Sequence, residues 1–301
     1  MKLKIIFFKN LVDSDKNIFL FHFFVYICYK LKHNIMSHFT VAVICNHPDD
    51  IEKMLAPYQE NNMDDCPKEF LAFNNVEEQY QKEYEEEKPD VKKKYPSFKE
   101  YIEEYCGYHY DEDQKAYGYW ENPKAKWDWW EIGGRWMGSL LIKSGKEGAT
   151  GNPGVFGNGI PNTPKGYRWV DACKISDISW EKMAEIAKYE LLKNEAEDGD
   201  LWDILTNPNI DQEKRMKYTF YKPEWFVERY GNKENYIKSQ VAFSTYAVIT
   251  PDGEWNAPGD MGWFGCSSES HEDQNKFADN YFDSFIKPNQ DKYIAIIDCH
   301  I

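Results

Sequence analysis

The residues best suited to chemistry crowd into one stretch of this chain, Trp127-Asp128-Trp129-Trp130-Glu131-Ile132-Gly133-Gly134-Arg135-Trp136. Trp127, Trp129, Trp130 and Trp136 offer flat aromatic faces, and Gly133-Gly134 lets the backbone turn sharply or approach another group closely. Arg135 carries a planar fork of donors that matches a carboxylate or phosphate and also stacks on rings. Together they suit a pocket that grips a nucleotide-like or other small anionic molecule. Packing supplies a competing account, in which the tryptophans are core and Arg135 pairs with Asp128 or Glu131. A second segment, running from Trp255 through Asp260, Met261, Gly262 and Trp263 to Gly265, repeats the same residue types. If the two segments meet in space, they make one aromatic-walled cleft. Ligand contacts are then expected from Trp127, Trp129, Trp130, Gly133, Gly134, Arg135, Trp136, Met261, Gly262 and Trp263. Asp128, Asp260 and His300 are the candidate acid–base groups.

Other motifs carry less. Asn46-His47-Pro48-Asp49-Asp50 resembles the metal motif of the zinc-dependent N-acetylglucosaminyl deacetylases, in which His and Asp hold zinc and another Asp acts as base. That chemistry needs further histidine ligands, usually an H-x-x-H pair on a helix. His38, His109, His271 and His300 show no such spacing. A strand-to-helix turn with Pro48 in the first helical turn accounts for the segment. No phosphate-binding loop, dinucleotide fingerprint or nucleophile elbow is present. No metal or cofactor is therefore expected. Cys299-His300 would make a thiolate–imidazole couple only if the two faced each other. Neighbouring strand residues point to opposite faces, which leaves His300 as the participant.

These residues need a frame, and the apolar pattern sketches one. Residues 39–44 and 293–297 are β-branched runs of strand length at opposite ends of the body, so the terminal strands are expected to be central or adjacent in one sheet. Residues 241–249 read as a third strand, turned at Pro251-Asp252-Gly253 and returning at Glu254-Trp255. Residues 136–142 and 168–172 complete the strand set. Helices are expected over 77–87, over 98–105 behind a Ser97 cap, from Ser179 onward, and over 274–286. Residues 145–166 form a long loop rich in Gly, Pro and Asn, of the kind that tends to be a lid or binding segment. The fold class is therefore α+β. It has a mixed, mainly antiparallel sheet that includes the N- and C-terminal strands, with helices packed on it and the long loop attached.

Composition narrows the function. The chain of 301 residues is 42% hydrophobic and 17% aromatic, which makes it globular with a surplus of rings for binding surfaces. The formal net charge is -15, and the first 35 residues hold six Lys and two Asp, so the remainder sits at about -19. So acidic a body repels phosphate backbones, and general nucleic-acid binding is not expected. Seven scattered Cys with no C-x-x-C pair exclude a disulfide framework and a zinc ribbon, and fit a reducing cytoplasm. Residues 1–35 differ in composition from the rest and lack a signal-peptide cleavage site after their short apolar run. They are expected to be a non-native or disordered extension, with a single domain over 36–301 and no membrane segment in it. A membrane-associating helix or a signal peptide remains open for 1–35.

From Met36 the chain resembles a protein family found in tailed phages and bacteria. The resemblance rests on Met36-Ser37-His38-Phe39-Thr40-Val41, Leu55-Ala56-Pro57-Tyr58-Gln59-Glu60-Asn61-Asn62, Tyr119-Trp120-Glu121-Asn122-Pro123, Lys126-Trp127-Asp128-Trp129, Gly133-Gly134-Arg135-Trp136, Met261-Gly262-Trp263-Phe264-Gly265 and Asp298-Cys299-His300-Ile301. It implies a phage or prophage accessory protein acting in a bacterial cytoplasm, and it brings no activity with it. The expected partner is a small anionic molecule, bound or turned over. A host protein covered by the acidic stretch from Glu77 to Asp113 is the alternative.

Overall fold

The computed structural model describes residues 38–154, 162–261 and 267–301. Its centre is the pairing of its first and last strands. β1 (His38–Cys45) and β13 (Tyr293–His300) run antiparallel in unbroken register, from His38 against His300 to Cys45 against Tyr293. β11 (Ala247–Ile249) lies parallel to β1 on its other edge and pairs with β12 (Trp255–Asn256). The far edge of β13 is shared. β10 (Ala172–Lys174) takes its first half and β5 (Trp129–Gly134) its second. β7 (Gly148–Ala149) joins β10, and β8 (Asn152–Pro153) runs parallel to β5, giving an eight-stranded sheet that is mixed and mainly antiparallel. The α+β class and the terminal-strand pairing thus stand as the apolar pattern predicts.

Both faces of β1 and β13 are covered, which is why their sequences are almost continuously apolar. Phe39, Val41, Val43, Ile297 and Cys299 belong to the core of the first face, under the helix Ile51–Leu55, Tyr58 and Trp127. Ala42, Ile44, Ile294 and Ile296 belong to the core of the second, under the helices Trp180–Leu192 and His271–Tyr281 and the turn Phe282–Ile286. A third cluster of Leu201, Leu205, Phe226 and Tyr236 joins the helices Leu201–Thr206, Pro223–Tyr230 and Lys233–Val241. The smaller sheets are β2 (Ala72–Asn75), β3 (His109–Asp111) and β4 (Ala116–Glu121) in one group, and β6 (Leu140–Lys143) with β9 (Tyr167–Val170) in the other. Among the described residues no helix is long and apolar enough to cross a membrane.

Several boundaries move from their sequence positions. The strand expected over 241–249 keeps only its last three residues, because the apolar Val241 ends the helix Lys233–Val241, which Asn232 caps. The strand expected over 136–142 begins at Leu140, since Trp136 and Met137 close a turn onto the carbonyls of Gly133 and Gly134. The long loop holds β7 and β8, and residues 155–161 within it lie outside the described residues. Ser97 caps its helix through the Glu100 amide, whereas Ser179 makes no side-chain cap. His47 caps the short turn Pro48–Asp50, accepting from the Asp49 amide while Asp50 reaches back to its own. The His-Pro-Asp-Asp segment is thus a strand-to-helix turn.

Candidate functional site

The candidate site is written across three strands. Residues opposite one another in antiparallel pairs share a face, and His300 lies opposite both His38 on β1 and Trp129 on β5. The next row on that face is Thr40, Asp298 and Glu131, and the one beyond begins the apolar core with Ala42 and Ile296. A polar patch therefore tops the second face of the sheet. His38 and His300 stand edge to face with ring centroids 4.8 Å apart, and Trp129 contacts the His38 ring edge at 5.8 Å.

Each histidine is held by one carboxylate. His38 Nδ1 lies 2.7 Å from Asp298 Oδ1, and His300 Nδ1 lies 2.6 Å from Asp128 Oδ1. A carboxylate accepts hydrogen bonds, so each Nδ1 carries the hydrogen and each Nε2 presents its lone pair when the ring is neutral. The His38 side chain is 16% exposed and that of His300 is 33% exposed, while Asp298 is fully buried. Burial pulls the His38 imidazole below its ordinary 6.5; the Asp298 carboxylate opposes this, and the Arg135 and His300 charges push it down further. Burial and the Asp298 charge raise the Glu131 carboxyl. Burial and the Asp128 charge likewise raise Glu60, with His300 opposing. Glu60 is placed there by the hydrogen bond its backbone N–H donates to the Trp127 carbonyl, and the buried Asn122 side chain pins the same segment by donating to the Pro57 and Gln59 carbonyls.

Two buried aspartates shape the Gly-Gly-Arg turn. Asp298 Oδ2 accepts from the Arg135 amide at 2.8 Å. Asp171 accepts from the amides of Gly138, Ser139 and Gly151, which counter the burial that raises its carboxyl. Gly133 and Gly134 take positive φ of 81° and 54°. A Cβ on Gly133 would come within 2.8 Å of the Asp171 carboxylate, and one on Gly134 would collide with that of Asp298. The close approach for which glycine is needed is thus to the protein's own carboxylates.

Beyond this turn opens a groove of about 580 Å³, walled by Trp136, Trp169, Trp180, Phe243 and Phe282 with Arg135 at its edge. Arg135 lines the groove, and Asp298 bridges its amide to the His38 ring, so groove and histidine pair are neighbours. Trp180 carries a buried indole N–H that has no acceptor among the described residues. Unpaired buried donors are uncommon and call for a partner.

The structure sorts the residues singled out by sequence. Trp129, Gly133, Gly134, Arg135, Trp136, Asp128 and His300 gather around the second face. Trp127 is buried in the first-face core, its indole donating to the Leu55 carbonyl, and Trp130 packs against the same core. Met261 packs there too, and Asp260 pairs with Lys126 at 2.7 Å, which lowers its carboxyl. The described parts of the two aromatic segments meet in the first-face core, where Trp127 and Trp130 join Trp255, Ala257 and Met261. Gly262 and Trp263 lie outside the described residues. Sequence reasoning missed His38 and Asp298. Their signal was the alternation of the two terminal strands, which puts His38, Asp298 and His300 on one face once β1 and β13 pair. No group of three His, Cys, Asp or Glu side chains among the described residues is placed to hold a metal ion. Compared with known proteins, the chain matches no family model, no curated protein and no solved structure.

Proposed function

We propose that this protein binds a small anionic molecule with a flat, apolar part, of nucleotide-like kind, in the groove beside Arg135. The position of Arg135 carries the reading. Arg135 lines the aromatic groove, and its amide is held by Asp298, the carboxylate that also holds His38. A guanidinium in that place pairs an anion while Trp136, Trp169 or Trp180 takes the flat part. The orphaned Trp180 N–H supports a ligand that also brings an acceptor. A volume of about 580 Å³ falls within the range of roughly 300–1,000 Å³ common for small-molecule sites. The net charge of -15 disfavours a long polyanion in the same place. The resemblance carried by Gly133-Gly134-Arg135-Trp136 and the terminal Asp298-Cys299-His300-Ile301 supports a phage-type accessory role in a bacterial cytoplasm.

Titration of the intact chain with nucleoside monophosphates, read by tryptophan emission, tests the reading. Saturable quenching is expected, and Arg135→Ala should weaken it by roughly 10- to 100-fold, the equivalent of a lost charge-assisted hydrogen bond of about 1.5–3 kcal/mol. Absence of saturable quenching, or equal affinity in the variant, would contradict it.

A further inference from the structure

We infer that the paired histidines make the polar patch beside this groove an acid–base centre that hydrolyses a small phosphodiester, with His38 as general base and His300 as general acid. The inference rests on the binding reading above and assigns the chemistry of that same site. Three observations lead to it. The rings of His38 and His300 are in contact, at 4.8 Å between centroids, on the sheet face that Arg135 borders. A carboxylate holds each by Nδ1, the arrangement that fixes an imidazole for proton transfer through Nε2. Neither Nε2 has a hydrogen-bond partner among the described residues, and both side chains are partly exposed.

The surroundings select the substrate. The groove's cations are Arg135 and Lys238, and the carboxylates of Asp298, Asp128, Glu60 and Glu131 crowd the histidine pair, which favours a single negative charge over a double one. A phosphodiester is monoanionic, whereas a phosphomonoester approaches two charges near neutrality. Its cleavage also needs a proton for the departing alkoxide, and a second imidazole supplies one. In the reaction, water oxygen attacks phosphorus as its proton passes to His38 Nε2. A phosphorus–oxygen bond forms, and the bond to the leaving oxygen breaks with its electron pair. That oxygen takes the proton from His300 Nε2. One water is consumed, and a phosphomonoester and an alcohol are released. Exchange with solvent then returns His38 to neutral and His300 to its protonated form. Asp298 and Asp128 are positioning residues that hold the rings. Asp298 also fixes the backbone of Arg135.

Asp298 and His300 on β13 and Arg135 just after β5 act on His38; Glu131 on β5 stands beside Asp298, and Asp128 and Glu60 stand beside His300. The pH profile is expected to show an acid limb from protonation of His38, the base, displaced to lower pH by its burial.

The test uses the intact chain with bis(4-nitrophenyl) phosphate, a dinucleoside monophosphate and a 3′,5′-cyclic nucleotide, in the presence of a chelator. The expected result is turnover of at least one diester, with kcat reduced about 100-fold or more by His38→Gln or His300→Gln at little change in KM. Arg135→Ala should mainly raise KM. Imidazole nitrogen shifts should show the proton on Nδ1 in both rings and a mixed tautomer for His38 in Asp298→Asn, a change that loss of packing alone does not produce. A folded His38→Gln variant with parental kcat would overturn the inference. So would failure to cleave any of the three diesters while nucleotide quenching persists, and the binding reading would survive that result. Loss of both turnover and quenching would sink the two together.

Discussion

At the residue scale, this site depends on carboxylates placed where water does not reach. Asp298 serves two masters, the His38 ring and the Arg135 amide, and Asp171 gathers three amides of the following turn and loop. Carboxylates so buried are accommodated because these donors are aimed at them. Gly134 is the point where this arrangement is least forgiving, since its positive φ and its contact with Asp298 both exclude a side chain. Gly134→Ala should cost roughly 2–4 kcal/mol, combining backbone strain with overpacking. Chemical denaturation would measure it, and a cost under about 0.5 kcal/mol would refute the close approach. Sequence composition alone marked Gly133-Gly134-Arg135 as special, and it attributed the glycines to a ligand. Nothing in the local sequence says that the approaching group is Asp298, more than a hundred residues away.

At the scale of elements, β13 organises the molecule. It pairs with β1 along its length on one edge and with β10 and β5 in succession on the other. The helical cluster around Leu205 has its own small core and shares no sheet strand. Ile296→Ala is therefore expected to destabilise the whole fold by about 2–5 kcal/mol. Leu205→Ala should speed amide exchange in the helices Leu201–Thr206 and Pro223–Tyr230 first, with β13 still protected. Hydrogen-exchange mass spectrometry on the two variants distinguishes these responses, and equal loss of protection everywhere would contradict the separation. The terminal strands were legible because β-branched runs buried on both faces have few alternatives. β5 was not, because its Trp129-Trp130-Glu131-Ile132-Gly133-Gly134 sequence earns strand pairing only from β13 beside it. The strand expected over 241–249 was overextended because Val241 and Phe243 are apolar for other reasons: one ends a helix and the other packs under Trp180.

At the scale of the whole molecule, an acidic body of charge -15 confines its arginine-bordered groove to one end of a sheet face. On the proposed reading, long-range repulsion keeps polyanions away while short-range pairing at Arg135 retains a small anion. The aromatic surplus divides accordingly: Trp127 and Trp130 go to the first-face core, and Trp136, Trp169 and Trp180 wall the groove. Within β5 the division follows strand parity, with Trp129 on the second face and Trp130 on the first, which the sequence holds but does not reveal until the partners of β5 are known. The central claim is that Arg135 anchors a small anionic ligand. Native mass spectrometry of the protein isolated from bacteria, alongside Arg135→Ala, tests it most directly. The account predicts a small-molecule adduct, or an adduct formed on adding a nucleoside monophosphate, that is present in the parent and lost in the variant. Bare protein in both samples after that addition, or an adduct that survives the substitution, would contradict it.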